Sequence, residues 1–155
     1  MIENGRIRRA LMMDQDELTE MNILLARETE GRELPGDRVK AGVKAVIKDP
    51  RKGFYLVMES SQRPGALLGQ LMVTFEWSDW NNSWYWWLQS VYVRIGARRQ
   101  GVFTKLFQSV FETARYRKDV HGIRLYLEKH NRAARETYLS LGLRRSPYDL
   151  LEHDF

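Results

Sequence analysis

The stretch Val91-Tyr92-Val93-Arg94-Ile95-Gly96-Ala97-Arg98-Arg99-Gln100-Gly101-Val102-Phe103-Thr104-Lys105-Leu106 constrains this chain more than any other. It reads as an apolar strand ending at Val93, a short basic turn carrying two glycines, and a helix with apolar residues at Val102, Leu106 and Val110 and at Phe103, Phe107 and Phe111. A strand that feeds a helix through such a turn makes an anion site. The first helical turn points outward N–H groups that have no partner within the helix, and the helix dipole adds partial positive charge. Gly101 lets a ligand approach the backbone without meeting a Cβ, and Arg98 and Arg99 bring full charges to where phosphate oxygens would sit.

A second stretch, Glu128-Lys129-His130-Asn131-Arg132-Ala133-Ala134-Arg135-Glu136-Thr137-Tyr138-Leu139-Ser140-Leu141-Gly142-Leu143, reads as a strand end followed by a helix. Asn131 suits its N-cap, Gly142 suits the position after its last turn, and Ala134 and Tyr138 lie one turn apart on one face. In this order the two stretches resemble the GCN5-related N-acetyltransferases. That family's acetyl-CoA pyrophosphate loop follows Gln/Arg-x-x-Gly-x-Gly/Ala, matched here by Arg98 and Gly101, with Phe103 where a second small residue is usual. Its later motif, Asn-x-x-Ala-x-x-x-Tyr-x-x-x-Gly-Phe, is matched by Asn131, Ala134, Tyr138 and Gly142, with Leu143 in place of phenylalanine. Phe103 either pushes the pyrophosphate outward or turns into the core.

The resemblance implies transfer of an acetyl group from acetyl-CoA to an amine by direct attack. It implies that Val91, Tyr92 and Val93 lie beside the pantetheine arm and that Arg98, Arg99, Gln100, Gly101, Val102, Phe103 and Thr104 hold the pyrophosphate. Asn131 is expected to contact the cofactor near its pantetheine end. Tyr138 matches the tyrosine that in many relatives protonates the leaving thiolate; the alternative is a core tyrosine packing the last helix. Where many relatives carry an acidic residue near the end of the central strand, this chain has Gln89 and Ser90. Either could hold a water that relays a proton to Glu76, with Asp79 as a second candidate, and a surface ion pair is the alternative for each carboxylate.

Trp77, Trp80, Trp84, Tyr85, Trp86 and Trp87 crowd one region of the sequence. Alternation sends Trp84 and Trp86 to one sheet face and Tyr85 and Trp87 to the other, so at least one pair belongs to the core. The remainder, with Glu76, Asp79, Trp80 and Gln89, could wall a cleft for an amine-bearing acceptor of polyamine-like or amino-acid-like form.

The rest of the chain sets the fold expectation. Residues 5–10 suit an edge strand. Asp14 with Glu17 suggests a capping box ahead of the stripe Leu18, Met21, Leu24 and Leu25, and Asp37 precedes a second stripe at Val39, Val43, Val46 and Ile47. Strands follow over 54–58, 66–77 and 84–93, then the helix of the phosphate loop to about residue 118, a strand over 122–128 returned parallel, a helix over 131–141, and a last strand in the tail from Leu143, bent by Pro147. The order β-α-α-β-β-β-α-β-α-β gives an α/β class with a mixed, mostly antiparallel sheet flanked by helices, as the acetyltransferase resemblance implies. At 155 residues and 43% hydrophobic, one domain over 1–155 is expected.

No apolar run is long enough for a membrane span, and the opening Met1-Ile2-Glu3-Asn4-Gly5 is too polar for a secretory leader, which together suggest a soluble cytoplasmic protein. With no cysteine there is no disulfide, thiol nucleophile or thiolate metal site, and no metal is expected. A net charge of +5 favours an anionic ligand; a nucleotide cofactor meets that need, and the dispersed basic residues do not form a nucleic-acid patch. The partner expected is a small-molecule or peptide amine, without nucleic acid or membrane, and a homodimer is compatible with the resemblance. Two other classes stay open: an acyl-CoA-binding module that has lost catalysis, suggested by Gln89, Ser90 and Phe103, and a nucleic-acid-associated protein, suggested only by charge.

Overall fold

The computed structural model describes residues 5–155; residues 1–4, which hold most of the polar opening stretch, lie outside it. The elements are β1 (Gly5–Arg9), α1 (Gln15–Glu30), α2 (Gly36–Lys48), β2 (Phe54–Ser60), β3 (Leu67–Ser78), β4 (Ser83–Val93), α3 (Val102–Tyr116), β5 (Val120–Leu125) and α4 (Arg132–Ser140). The chain divides into two compact units, one ending at Leu125 and the other Tyr126–Phe155.

In the first unit the strands form a five-stranded sheet in the order β1-β2-β3-β4-β5. Neighbours are antiparallel from β1 to β4, and β5 returns parallel to β4 through the crossover helix α3. Strand alternation then divides the core. Tyr55 and Val57 of β2 stand opposite Met72 and Gln70 of β3, and this face packs on Leu18 and Met21 of α1 and Val43 of α2. Leu56, Leu71, Val73 and Leu88 point to the other face, where α3 lies with Val102, Leu106, Phe107, Val110 and Ala114 buried. Leu18, Leu71 and Leu106 are fully buried, and each stabilises the fold by about 1.5–3 kcal/mol. Gly69 lets the start of α3 settle against β3: a Cβ there would lie 3.0 Å from Val102 Cγ1.

Of the aromatic run only Trp86 joins the buried core, while Trp77, Trp80 and Trp84 are exposed. Trp86 is buried, edge-on to Phe54 at 5.5 Å and tilted against Phe75 at 5.9 Å, and Trp84 stands 4.9 Å from Trp77 at the sheet's end. Trp80 sits in the turn between β3 and β4 and is 88% exposed.

Two local expectations fail for identifiable reasons. Asp14 and Glu17 do not form a capping box, because both carboxylates have tertiary partners. Asp14 accepts from Arg8 at 2.7 and 2.9 Å and from the Leu11 N–H at 2.7 Å, while Glu17 accepts from the Leu67 N–H at 3.0 Å and pairs with Arg94 at 3.0 Å. Charge-assisted bonds of this kind outweigh a cap. The tail strand is also absent: residues 143–155 form neither strand nor helix. Pro147 removes a ladder donor, and Arg144, Arg145, Asp149, Glu152 and Asp154 break any alternating apolar face. In the same unit α4 starts as expected, with Asn131 Oδ1 accepting from the Ala134 N–H at 3.1 Å, and after it Gly142 adopts φ +94°.

The edge strand β1 is tied down by charge. Arg8 bridges Asp14 and Glu59, and its hydrogen bond, followed by one from the Gly65 N–H, pulls the Glu59 carboxyl from the usual 4.5 down to about 2. Burial pushes Asp14 up, but Arg8 and the Leu11 N–H outweigh it and leave the group below its ordinary value. A depressed folded value means a contribution that is present above the unfolded value and lost as pH falls through the folded one. The melting temperature should therefore hold from pH 7 to about 5 and fall between about 4.5 and 2. A Tm that stays flat from pH 5 to 2.5, followed by circular dichroism, would contradict this account.

Candidate active site

β4 and β5 pair only from Trp84 with Val120 to Leu88 with Leu125. β4 runs on to Val93, so among the described residues 89–93 lack a strand partner on the β5 side while keeping β3 on the other. Between the pairs Met72–Gln89 and Gln70–Tyr92, residues 90 and 91 stand against Leu71 alone, which is a β-bulge. Ser90 carries it at φ +51°, a conformation that costs a non-glycine residue about 1–3 kcal/mol and persists only where its surroundings enforce it.

The enforcing groups are buried amides. Gln70 is fully buried and donates from Nε2 to the Ser90 carbonyl at 3.0 Å and to Asn22 Oδ1 at 3.2 Å. Asn22 Nδ2 donates to the Leu18 carbonyl at 3.0 Å and to the Tyr55 hydroxyl at 3.3 Å, whose pKa burial pushes up. Gln70 Oε1 has no partner among the described residues, so this network accepts one more donor than it holds.

Beyond Val93 the loop is anchored to α1. Arg94 donates to the Leu67 carbonyl at 3.0 Å and pairs with Glu17 and Glu20. Arg98 donates to the Val93 carbonyl at 2.9 Å and to Glu28 at 2.6 Å, and the Tyr92 hydroxyl donates to the other Glu28 oxygen at 2.8 Å. Arg98 is the main reason the Glu28 carboxyl lies below its usual value. Arg99 follows at φ +62° and is exposed, Gln100 donates to the Gly96 carbonyl at 3.0 Å, and Gly101 adopts φ +79°. Gly101 is the N-cap of α3 and has no side chain with which to cap it, and a Cβ on Gly101 would meet nothing within 4 Å. Val102 is buried in the first turn and Thr104 is half-buried. The half-buried Phe103 sets its ring 6.0 Å from that of Phe107 along α3, tilted by 45°.

Residues 17–143, a span that includes this loop and the strand before it, match the acetyltransferase (GNAT) family. The chain belongs to this family. It is 40% identical to a possible acetyltransferase from Clostridium difficile 630 of known structure, with 99% of each chain covered and a TM-score of 0.90. A transcriptional regulator from Bacillus halodurans C-125 is 28% identical over 97% of this chain and all of its own, at a TM-score of 0.79. A predicted acetyltransferase from Clostridium acetobutylicum, solved with acetyl-CoA, is 15% identical, covered over 97% and 96% of the two chains at a TM-score of 0.74, and shares the fold. Among curated proteins none matches.

The remaining candidate residues of this GNAT protein fall in three places. Glu76 pairs with Arg124 at 2.7 Å, and the Arg124 guanidinium lies 3.5 Å above the Tyr85 ring, so that carboxylate has a partner already. Gln89 donates to Thr74 Oγ1 at 2.6 Å on the same sheet face. Asp79 sits in the turn with Trp80 and accepts its N–H at 3.0 Å. Asn131 and Tyr138 belong to the C-terminal unit, where burial pushes the Tyr138 hydroxyl's pKa up.

Sequence reading did not find Glu28, Asn22, Tyr55 or Gln70. A signal existed for two of them. Asn22 interrupts the stripe of α1, and Gln70 interrupts the apolar run of β3, and a buried amide in an apolar pattern needs a reason. Both border a cavity of about 400 Å³ or the residues that line it: the cavity lies against α1 and α2 and takes Asn22, Tyr55, Met72 and Ser90 from the region of the bulge.

Proposed function

We propose that the protein transfers an acetyl group from acetyl-CoA to a primary amine in a ternary complex. The observation that carries this is the stretch of β4 that has no β5 partner among the described residues, leading into the N-terminus of α3 across the open face of Gly101. These features fit the cofactor: no side chain fills the space over Gly101, and donors of the first helical turn suit a pyrophosphate. When bound, acetyl-CoA supplies the activated thioester.

The chain's own groups then do the rest. Val91, Tyr92 and Val93 offer backbone groups to an extended pantetheine arm, and Gly101, Val102, Phe103 and Thr104 offer first-turn N–H groups to phosphate, beside Arg98, Arg99 and Gln100. Asn131, already the α4 cap, is the contact proposed for the pantetheine end. Tyr138 is the hydroxyl proposed to give its proton to the departing thiolate. Gln89, held by Thr74, orients a water, and Glu76 accepts the amine's proton through it once released from Arg124. One soluble unit acting in the cytoplasm on a small-molecule or peptide amine is the setting this chemistry suits.

Calorimetry with CoA, followed by CoA release with a panel of amines, tests the proposal. No heat from a folded sample would sink it. Tyr138→Phe should lower kcat about a hundredfold with little change in CoA affinity, as loss of a general acid does. An unchanged kcat would return Tyr138 to packing. Glu28 and a pyrophosphate compete for one guanidinium, so Glu28→Gln should raise CoA affinity about three- to tenfold. A fall would mean instead that Glu28 positions Arg98 for the cofactor.

A further inference from the structure

The cavity beside the bulge has a chemical character of its own. Leu25, Leu34, Val39, Val46 and Met72 line it, Asn22, Tyr55 and Ser90 give it a polar edge, and Glu30 is its only charged lining residue among those described. It is an open groove rather than an enclosed cavity, and its volume of about 400 Å³ falls within the roughly 300–1,000 Å³ of small-molecule pockets. Ser90 both lines the cavity and adjoins Val91, so the polar edge lies next to the backbone assigned above to the pantetheine arm.

A second observation comes from α2. Gly42 lies inside that helix, where glycine costs about 1 kcal/mol relative to alanine, and a Cβ there would touch nothing within 4 Å. No packing contact requires a glycine at this position. Gly42 lines the cavity, and its missing side chain leaves that wall open to an occupant.

From this we propose that the acetyl acceptor is a primary amine on an apolar body that carries no acidic group, seated between α1, α2 and the sheet with its nitrogen at Ser90. No arginine or lysine among the described lining residues could pair with a carboxylate or phosphate, and Glu30 would repel one. A polyamine's inner ammonium groups would lie along Leu25, Val39 and Val46, with Glu30 alone to pair with them. The amine meets Asn22, Tyr55 and Ser90 in neutral form. Transfer forms a C–N bond from the nitrogen lone pair to the acyl carbon and breaks the C–S bond; sulfur takes that electron pair, and the proton lost from nitrogen balances the one that converts thiolate to thiol. This inference rests on the acetyltransferase reading of the same site.

The test pairs each amine with its carboxylated twin. The purified protein with acetyl-CoA is offered 3-methylbutylamine and leucine, 2-phenylethylamine and phenylalanine, and spermidine, and CoA release is followed. Both apolar amines should give kcat/KM at least tenfold above their twins and above spermidine. Gly42→Leu should raise KM for 2-phenylethylamine tenfold or more, leave CoA affinity as it was, and not lower Tm. Preference for leucine, phenylalanine or spermidine overturns the acceptor class, as does an unchanged KM in Gly42→Leu. CoA binding by calorimetry separates the two claims: with CoA heat and the wrong preference only the acceptor class falls, and without CoA heat both fall.

Discussion

Gly101→Val should weaken CoA binding about a hundredfold or more while leaving the protein folded. Gly101 sits at φ +79°, where an L-residue pays about 1–2 kcal/mol and a β-branched one more. The strain is relieved only by turning the backbone to negative φ, which re-aims the N–H groups at the start of α3. The new side chain also enters space that is open now, since a Cβ at Gly101 meets nothing within 4 Å. Both effects act on the anion site and neither touches the core, so binding should suffer far more than stability. Gly101→Ala should cost less, about tenfold. Gly65→Val is the control: it has φ +87° and equally open space, but lies in the turn between β2 and β3. It should carry the same backbone cost and leave CoA affinity alone. A folded Gly101→Val protein that gives wild-type heats with CoA would remove the loop from cofactor binding.

What could be read from the sequence follows the range of the forces concerned. The loop and α3 were legible because glycine conformation, helix periodicity and N-terminal donors are local properties, fixed by residues 91–106 alone. The parallel return of β5 was legible for a similar reason: a strand, a helix and a strand admit one economical path. The tail misled because scattered apolar residues suggest a strand, whereas Pro147 withholds a ladder donor and charged residues interrupt the segment. Long-range charge was the other blind spot. Asp14 looks like a cap until Arg8 is folded beside it, and Arg98 looks like a free phosphate ligand until Glu28, far away in sequence on α1, is found holding it at 2.6 Å. The bulge at Ser90 left no local trace at all. Its cause is Gln70 on the neighbouring strand, so it exists only once the two strands are in register.

Asp14→Ala is expected to cost about 3 kcal/mol of stability, which for a chain of this size lowers Tm by about 6–12 °C. The Asp14 side chain is 2% exposed and satisfies three donors, two on Arg8 and the Leu11 N–H. Alanine would leave a mostly buried guanidinium with only Glu59 and the Arg9 carbonyl to hold it, and a backbone donor with nothing. Asp14→Asn separates charge from hydrogen bonding. It can still accept from Leu11 but no longer neutralises Arg8, so it should fall between the parent and the alanine protein, with a smaller loss of Tm between pH 4.5 and 2. The cost should also reach the active site. Asp14 immediately precedes α1, and α1 carries Asn22 beneath the bulge and Glu28 against Arg98. A shift at the start of that helix moves both partners, so Asp14→Ala should change CoA affinity even at temperatures where the protein stays folded. If Tm falls as expected and CoA affinity does not move, α1 is held from the sheet side alone and the ion pair at its start serves only stability.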